Sequence, residues 1–230
     1  MDSERHRVEA VRLEIWKGLV EGLKYTRNHR AIASLILIGI IGGLFGMSFE
    51  TLLPIFADEI LGGDVNTYSS LLLSTGVGGL IATVLIAWQS SLKNSMKFLT
   101  LGGIGFGTGL AVFSQVVWLP AALLAMAVVG GASVMFITVN STLVQSLVSQ
   151  EYRGRVMSVH QLAWGSSAIG GLLMGFLSKT VSAPFALLLA GVLTAAATGI
   201  IVRLALRNHV GDLVSVPEMP PHPEQALDTN

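Results

Sequence analysis

Residues 65–92, 98–150, 156–178 and 180–202 contain no Asp, Glu, Lys or Arg. The hydrocarbon core of a bilayer is about 30 Å thick, so a helix needs roughly 20 apolar residues to cross it. Runs of this length, free of charge and separated by short charged loops, are what a lipid solvent selects. The chain is therefore expected to be all-α, a polytopic helical bundle in a membrane. Composition agrees where it bears on the point: 12% of residues are charged, against about 25% in soluble domains.

Six spans follow from the runs and their loops, at 31–57, 68–89, 97–118, 120–147, 156–178 and 184–207. The run 98–150 is too long for one helix. It divides at Trp118, Leu119 and Pro120, where an interfacial aromatic precedes a proline suited to a helix's first turn. Lys24, Arg27, Arg30, Lys93, Lys97, Arg153, Arg155, Arg203 and Arg207 fall on one side of this topology. The other side holds Lys179 with Asp58, Glu59 and Asp64. The positive-inside rule then predicts both termini in the cytoplasm, as an even number of spans requires.

Ahead of the first span, residues 1–30 read as a cytoplasmic linker helix. Val8, Val11, Ile15, Leu19 and Leu23 recur at helical steps beside Trp16, and Glu14/Lys17 and Glu21/Lys24 stand three apart. The pattern suits a helix lying on the membrane interface or one packed on a neighbouring domain. Residues 208–230, rich in proline after Val216, have no apolar period and are expected to be disordered.

Two segments repeat. Residues 74–81 (Ser-Thr-Gly-Val-Gly-Gly-Leu-Ile) align without gaps on 166–173 (Ser-Ser-Ala-Ile-Gly-Gly-Leu-Leu), at an offset of 92. Gly42, Gly43 and Met47 match Gly130, Gly131 and Met135 at an offset of 88. The expectation is two three-helix units, the second inserted upside down relative to the first, because three is odd. Six glycine-rich helices packed closely without a transport role would give the same local signal.

No catalytic constellation is visible, and the chain is read as a non-enzyme with no cofactor and no metal. It has no cysteine, which excludes disulfides, thiolate metal sites and cysteine nucleophiles. Gly102 to Gly107 is glycine-rich, but no strand precedes it and no Lys-Ser/Thr follows, so it is not a phosphate loop. Of five histidines only His160 touches a span, and it is expected to be solvated or interfacial. Glu50 is the one acidic residue inside a span, and such a residue is a functional candidate. Nineteen steps of about 1.5 Å place it near the outer boundary, whereas Asn140 falls near the cytoplasmic one, so the two are expected to lie apart.

The segment Gln150-Glu151-Tyr152-Arg153-Gly154-Arg155-Val156-Met157-Ser158, followed by Ala168-Ile169-Gly170-Gly171, resembles the loop and helix after the tenth span of major facilitator superfamily exporters. The likeness is to the branch of enterobactin-exporter-like and macrolide-efflux-like proteins. Glu21 to Tyr25 with Asn28 resembles that branch's central linker, and Phe49 to Phe56 with Pro54 its seventh span. The resemblance covers residues 14–207 and implies the C-terminal six-helix half of a twelve-span transporter. It implies an exporter of hydrophobic or amphiphilic, drug- or siderophore-like molecules across a bacterial inner membrane, working by alternating access and coupled to protons. Its partner would be an N-terminal half or a second copy, with no nucleic acid involved. One departure matters: the loop 87–97 lacks the aspartate and glycine of the superfamily signature, so a gate latch on that aspartate does not carry over. A truncated remnant or a membrane scaffold subunit is the competing reading.

If the first helix of each unit lines the pathway, its wall includes Gly42, Phe45, Met47 and Glu50 on the first span and Gly131, Met135 and Phe136 on the fourth. Trp164 and Ser166 add hydrogen-bonding capacity on the fifth. Soft Met and Phe surfaces suit bulky, varied ligands. Glu151, Arg153 and Arg155 are candidates for a cytoplasmic gate, in which an arginine pairs with a carboxylate when that side closes.

Overall fold

The computed structural model describes residues 16–88 and 94–209, and all regular structure among them is helical. Helix α1 covers 16–28 and α2 covers Arg30–Ile60. They are followed by α3 (Val65–Trp88), α4 (Ser95–Phe113), α5 (Leu119–Leu147), α6 (Arg153–Trp164), α7 (Ser167–Thr180) and α8 (Ala183–His209). Five of these, α2, α3, α4, α5 and α8, are each long and apolar enough to cross a membrane. The expectations for residues 1–15, for the loop at 89–93 and for the tail from 210 lie outside the described residues.

Helix α2 is the least regular. It widens into π-turns at Gly42–Gly46 and Phe56–Ile60, closed by i→i−5 bonds from Met47 N–H to the Gly42 carbonyl and from Leu61 N–H to the Phe56 carbonyl, both 2.9 Å. Pro54 lies in the α-helical piece between them and has no N–H for the Glu50 carbonyl. The chain leaves α2 through Gly62, whose φ of 60° is left-handed. Asp64 then caps α3: its Oδ1 accepts the backbone N–H of Asn66 at 2.9 Å and of Thr67 at 3.2 Å. The Asn66 side chain donates to Oδ2 at 2.8 Å. The Asn66 side-chain bond, followed by the Thr67 N–H, holds this carboxyl below its ordinary range.

The fifth span departs from expectation. The apolar run 156–178 predicts one helix, but the chain breaks it at Gly165 and Ser166 into α6 and α7. There the ladder tightens to i→i−3 bonds, from Ser166 N–H to the Ala163 carbonyl (3.2 Å) and from Ala168 N–H to the Gly165 carbonyl (3.3 Å). A Gly/Ser pair is a standard cause of such a kink.

Helices meet where glycine lets backbones touch. A Cβ on Gly78 of α3 would collide with the Ala127 carbonyl of α5, and one on Gly130 of α5 with the Thr75 carbonyl. Gly107 of α4 and Gly191 of α8 abut in the same reciprocal way, and Gly170 of α7 presses on the Leu44 carbonyl and Ser48 hydroxyl of α2. Such close approach is how helices associate in lipid, where apolar side chains gain nothing by leaving it. Inside, Phe56, Phe106, Phe113 and Phe136 are fully buried. Outside, Leu73, Leu80, Leu172 and Phe176 are each at least two-thirds exposed, as a surface facing hydrocarbon should be.

Helix α1 lies against α6. Gly22 seats on the Arg155 carbonyl, Gly18 approaches the Arg155 side chain, and Tyr25 stacks on Tyr152 at 4.7 Å between ring centroids. Its other face leaves Trp16, Val20 and Leu23 exposed.

Candidate functional site

Asn140 on α5 stands ten residues before Gln150 and His160 on α6 ten residues after it. Equal steps of about 1.5 Å along two helices that leave one turn bring both side chains to the same depth. His160 Nε2 lies 2.8 Å from Asn140 Oδ1, and Asn140 Nδ2 donates to the Leu35 carbonyl of α2 at 3.1 Å. Asn140 is 0% and His160 1% exposed. The pair ties α2, α5 and α6 together. Because the Asn140 amide nitrogen is committed to Leu35, its oxygen faces the imidazole, so Nε2 carries the hydrogen and donates it. Nδ1 is then an acceptor, buried, with no hydrogen-bond partner among the described residues. One turn along α6, Trp164 Nε1 lies 3.2 Å from the same Nε2, and a nitrogen that donates to Asn140 cannot accept from the indole.

Trp164 continues into an aromatic ladder through the bundle. Its ring meets Phe136 edge-on at 5.9 Å; Phe136 meets Phe106 at 6.3 Å, and Phe106 meets Phe49 at 6.2 Å. Phe136 fits because Gly42, at the start of the π-turn, has no side chain: a Cβ there would come within 2.6 Å of the ring. Beside the ladder is a cavity of about 270 Å³ lined by Met47 and Glu50 of α2, Ile137 and Ser141 of α5, and His160, Gln161, Trp164 and Ser167 of α6 and α7.

One expectation changes here. His160 is not interfacial but sealed within the bundle, because its partner Asn140 lies at equal depth across the α5–α6 turn. Asn140 itself meets α2 at Leu35, fifteen residues and about 22 Å before Glu50 along the helix, so those two do not meet, although Glu50 and His160 both line the cavity. Glu50 stands five residues, about 7.5 Å, past the midpoint of α2 at Phe45.

The cavity brings together Met47, Glu50 and Trp164, with Phe136 and Gly42 packed behind Trp164. Other pathway candidates sit elsewhere. Gly131 faces the Gly78 carbonyl of α3, 3.1 Å from where its Cβ would be, and Phe45 and Met135 are half-buried against the core. The Ser166 hydroxyl is taken by backbone, the Ala163 carbonyl at 2.6 Å and the Ile40 carbonyl at 2.9 Å. His160, Gln161 and Ser141 were absent from the sequence candidates; the symmetry of Asn140 and His160 about the turn was the signal available.

At the N-terminal end of α6, Arg155 Nη1 pairs with Glu21 Oε2 of α1 at 2.6 Å. Its guanidinium also lies 5.4 Å from the centre of the Tyr152 ring. Glu151 and Arg153 are exposed.

A sequence profile for the family described as transmembrane secretion effector matches residues 3–230. The chain is also similar to the staphyloferrin A transporter of Staphylococcus aureus, with 23% identity over 154 residues, 66% of this chain and 38% of that protein. It thus spans well under half the length of that relative. No solved structure matches the chain.

Proposed function

This chain belongs to the transmembrane secretion effector family, within the major facilitator superfamily, and on that footing we propose that it supplies the C-terminal half of a secondary exporter. The substrates are hydrophobic or amphiphilic small molecules, moved across a bacterial inner membrane by alternating access and driven by protons. The observation that carries this reading is the cavity between α2, α5 and α6–α7. It pairs an apolar, aromatic wall with a small polar set, Glu50, His160 and Gln161, which is the usual make-up of a small-molecule site.

In this reading α6 and α7 together, residues 153–180, form a sixth, broken crossing beside the five unbroken ones. Discontinuous helices are frequent around transporter binding sites. The six crossings form two inverted three-helix units, and the glycine contacts support that arrangement. Gly170 of α7 packs on α2, while Gly78, its counterpart 92 residues earlier, packs on α5. Under the repeat α2 corresponds to α5 and α3 to α7, so the two contacts are images of one another. The reciprocal Gly107–Gly191 contact joins the remaining pair, α4 and α8.

The Lys and Arg bias supports cytoplasmic termini. The Glu21–Arg155 pair then acts as an inner latch that holds the linker helix against the closed cytoplasmic end. Bilayer, substrate and a complementary N-terminal half (or a second copy) are its partners.

The test is accumulation of a panel of dyes and antibiotics in cells expressing this chain with its N-terminal half, with and without a protonophore. Lower accumulation that the protonophore abolishes is expected. Equal accumulation in every condition contradicts export and favours a scaffold or remnant.

A further inference from the structure

We propose that His160 is the proton-exchanging group of this half, taking an aqueous proton on Nδ1 and returning it on the opposite side of the membrane. This deepens the export reading and rests on it. By helix counting Glu50 stands near the boundary, which leaves a coupling carboxylate to another half; the geometry puts a base inside this one. Asn140, pinned by Leu35, consumes the Nε2 hydrogen. Nδ1 keeps its lone pair, walled in and unpartnered among the described residues. A buried acceptor without a donor is costly, and one that lines a transport cavity has a use for the vacancy.

The step is balanced simply. The lone pair on Nδ1 forms an N–H bond with a proton delivered by water, no electrons are transferred, and the ring goes from neutral to +1. Of the groups around it, α2 presents Glu50, which shares the cavity; α5 presents Asn140 and Ser141, and α6 presents Gln161 and Trp164, none of which titrates. Nδ1 is shut off from water in this conformation, so protonation requires α2, α5 and α6 to separate. The helices are built to do so at the Gly42–Gly46 π-turn and the Gly165–Ser166 break, which flank the site. Proton entry and cavity opening become one event.

Trp164, within 3.2 Å of the ring, reports on it. In a background with Trp16→Phe, Trp88→Phe and Trp118→Phe, Trp164 is the one remaining tryptophan. An imidazolium in contact with an indole quenches its emission, so the full chain in lipid vesicles should lose Trp164 fluorescence on acidification. His160→Gln, which still donates to Asn140, should abolish the transition. An unchanged transition in His160→Gln, or none in the parent, overturns the proposal. As a check that needs no folded variant at 160, His6, His29, His209 and His222 are replaced by Gln and the remaining ring is followed by ¹⁵N NMR. A neutral ring protonated at Nε2 that gains a second proton on acidification is expected; a ring already protonated at Nδ1, or one that never gains a proton, contradicts it. A persistent titration without drug efflux sinks the export reading and leaves the proton site. Efflux without the titration sinks the proton site alone.

Discussion

Asn140 and His160 meet at 2.8 Å across α5 and α6, and the same asparagine reaches α2 through the Leu35 carbonyl. One amide therefore satisfies two partners on two other helices. Removing it strands the buried His160 Nε2 hydrogen, while the Leu35 carbonyl keeps only its bond within α2.

Asn140→Leu should destabilise the bundle by about 1–3 kcal/mol, the cost of stranding buried polar groups. Combined with His160→Leu, the pair should be less than additive. Hydrogen bonds between membrane helices couple by about 0.6 kcal/mol on average and about 1.7 at most. Unfolding of the two single variants and the double variant in mixed micelles gives this coupling directly. Strict additivity would mean that the contact is not made.

Glycines at the crossings and glycines facing open space should respond oppositely. Gly107→Val and Gly191→Val push a side chain into facing backbone, and yield of monodisperse protein should collapse. Gly76→Ala and Gly175→Ala meet nothing within 4 Å and should fold as well as the parent, or slightly better given the helix propensity of alanine. Similar losses in both sets would remove the close-packing account.

The Glu21–Arg155 pair is half-exposed on both sides, and exposed ion pairs contribute at most about 1 kcal/mol. Glu21→Arg should therefore leave stability nearly unchanged yet weaken closure of the inner end. The swap Glu21→Arg with Arg155→Glu should restore it. Cytoplasmic access of a labelling reagent to the Gln161→Cys variant, with each latch change added, is the measurement. Indifference of access to both changes would reduce the pair to a topology signal.

Asp64 gives a pH dependence whose sign is fixed. Its carboxyl is held below the ordinary range by bonds made to its ionised form. The stabilisation is therefore fully present above the unfolded-state value, and it is lost as pH falls through the lower, folded one. Asp64→Ala should loosen the α2–α3 turn at neutral pH and make no difference once the parent's own carboxyl is protonated. Hydrogen exchange at the Asn66 and Thr67 amides, followed against pH, tests this.

The spans were legible because charge exclusion by hydrocarbon acts on every residue of a run, so 98–150 and 180–202 announce themselves without any neighbour. The Gly165–Ser166 break was not legible: a Gly-Ser pair within an apolar run is compatible with a continuous helix, and only packing against α2 distinguishes the two. Depth was the harder quantity. Counting from Ala31 sets Glu50 near an edge, but steps along one helix do not show how a cavity runs between helices, and this one reaches from His160 to Glu50. The burial of His160 was not legible because a histidine two residues after Ser158 carries no mark of its partner, although Asn140's equal distance from the turn contained the answer.

A chain without cysteine permits the most direct test of the central claim, that α2, α5 and α6 enclose a water-accessible substrate cavity within a lipid-facing shell. Single variants Ser141→Cys and Gln161→Cys line that cavity, while Leu73→Cys and Leu172→Cys face outward, 70% and 77% exposed. In membranes, a water-soluble maleimide should label the first two, and an amphiphilic substrate should protect them, while the outer pair stays unreacted. Labelling of the outer pair with silence at 141 and 161 would contradict the account.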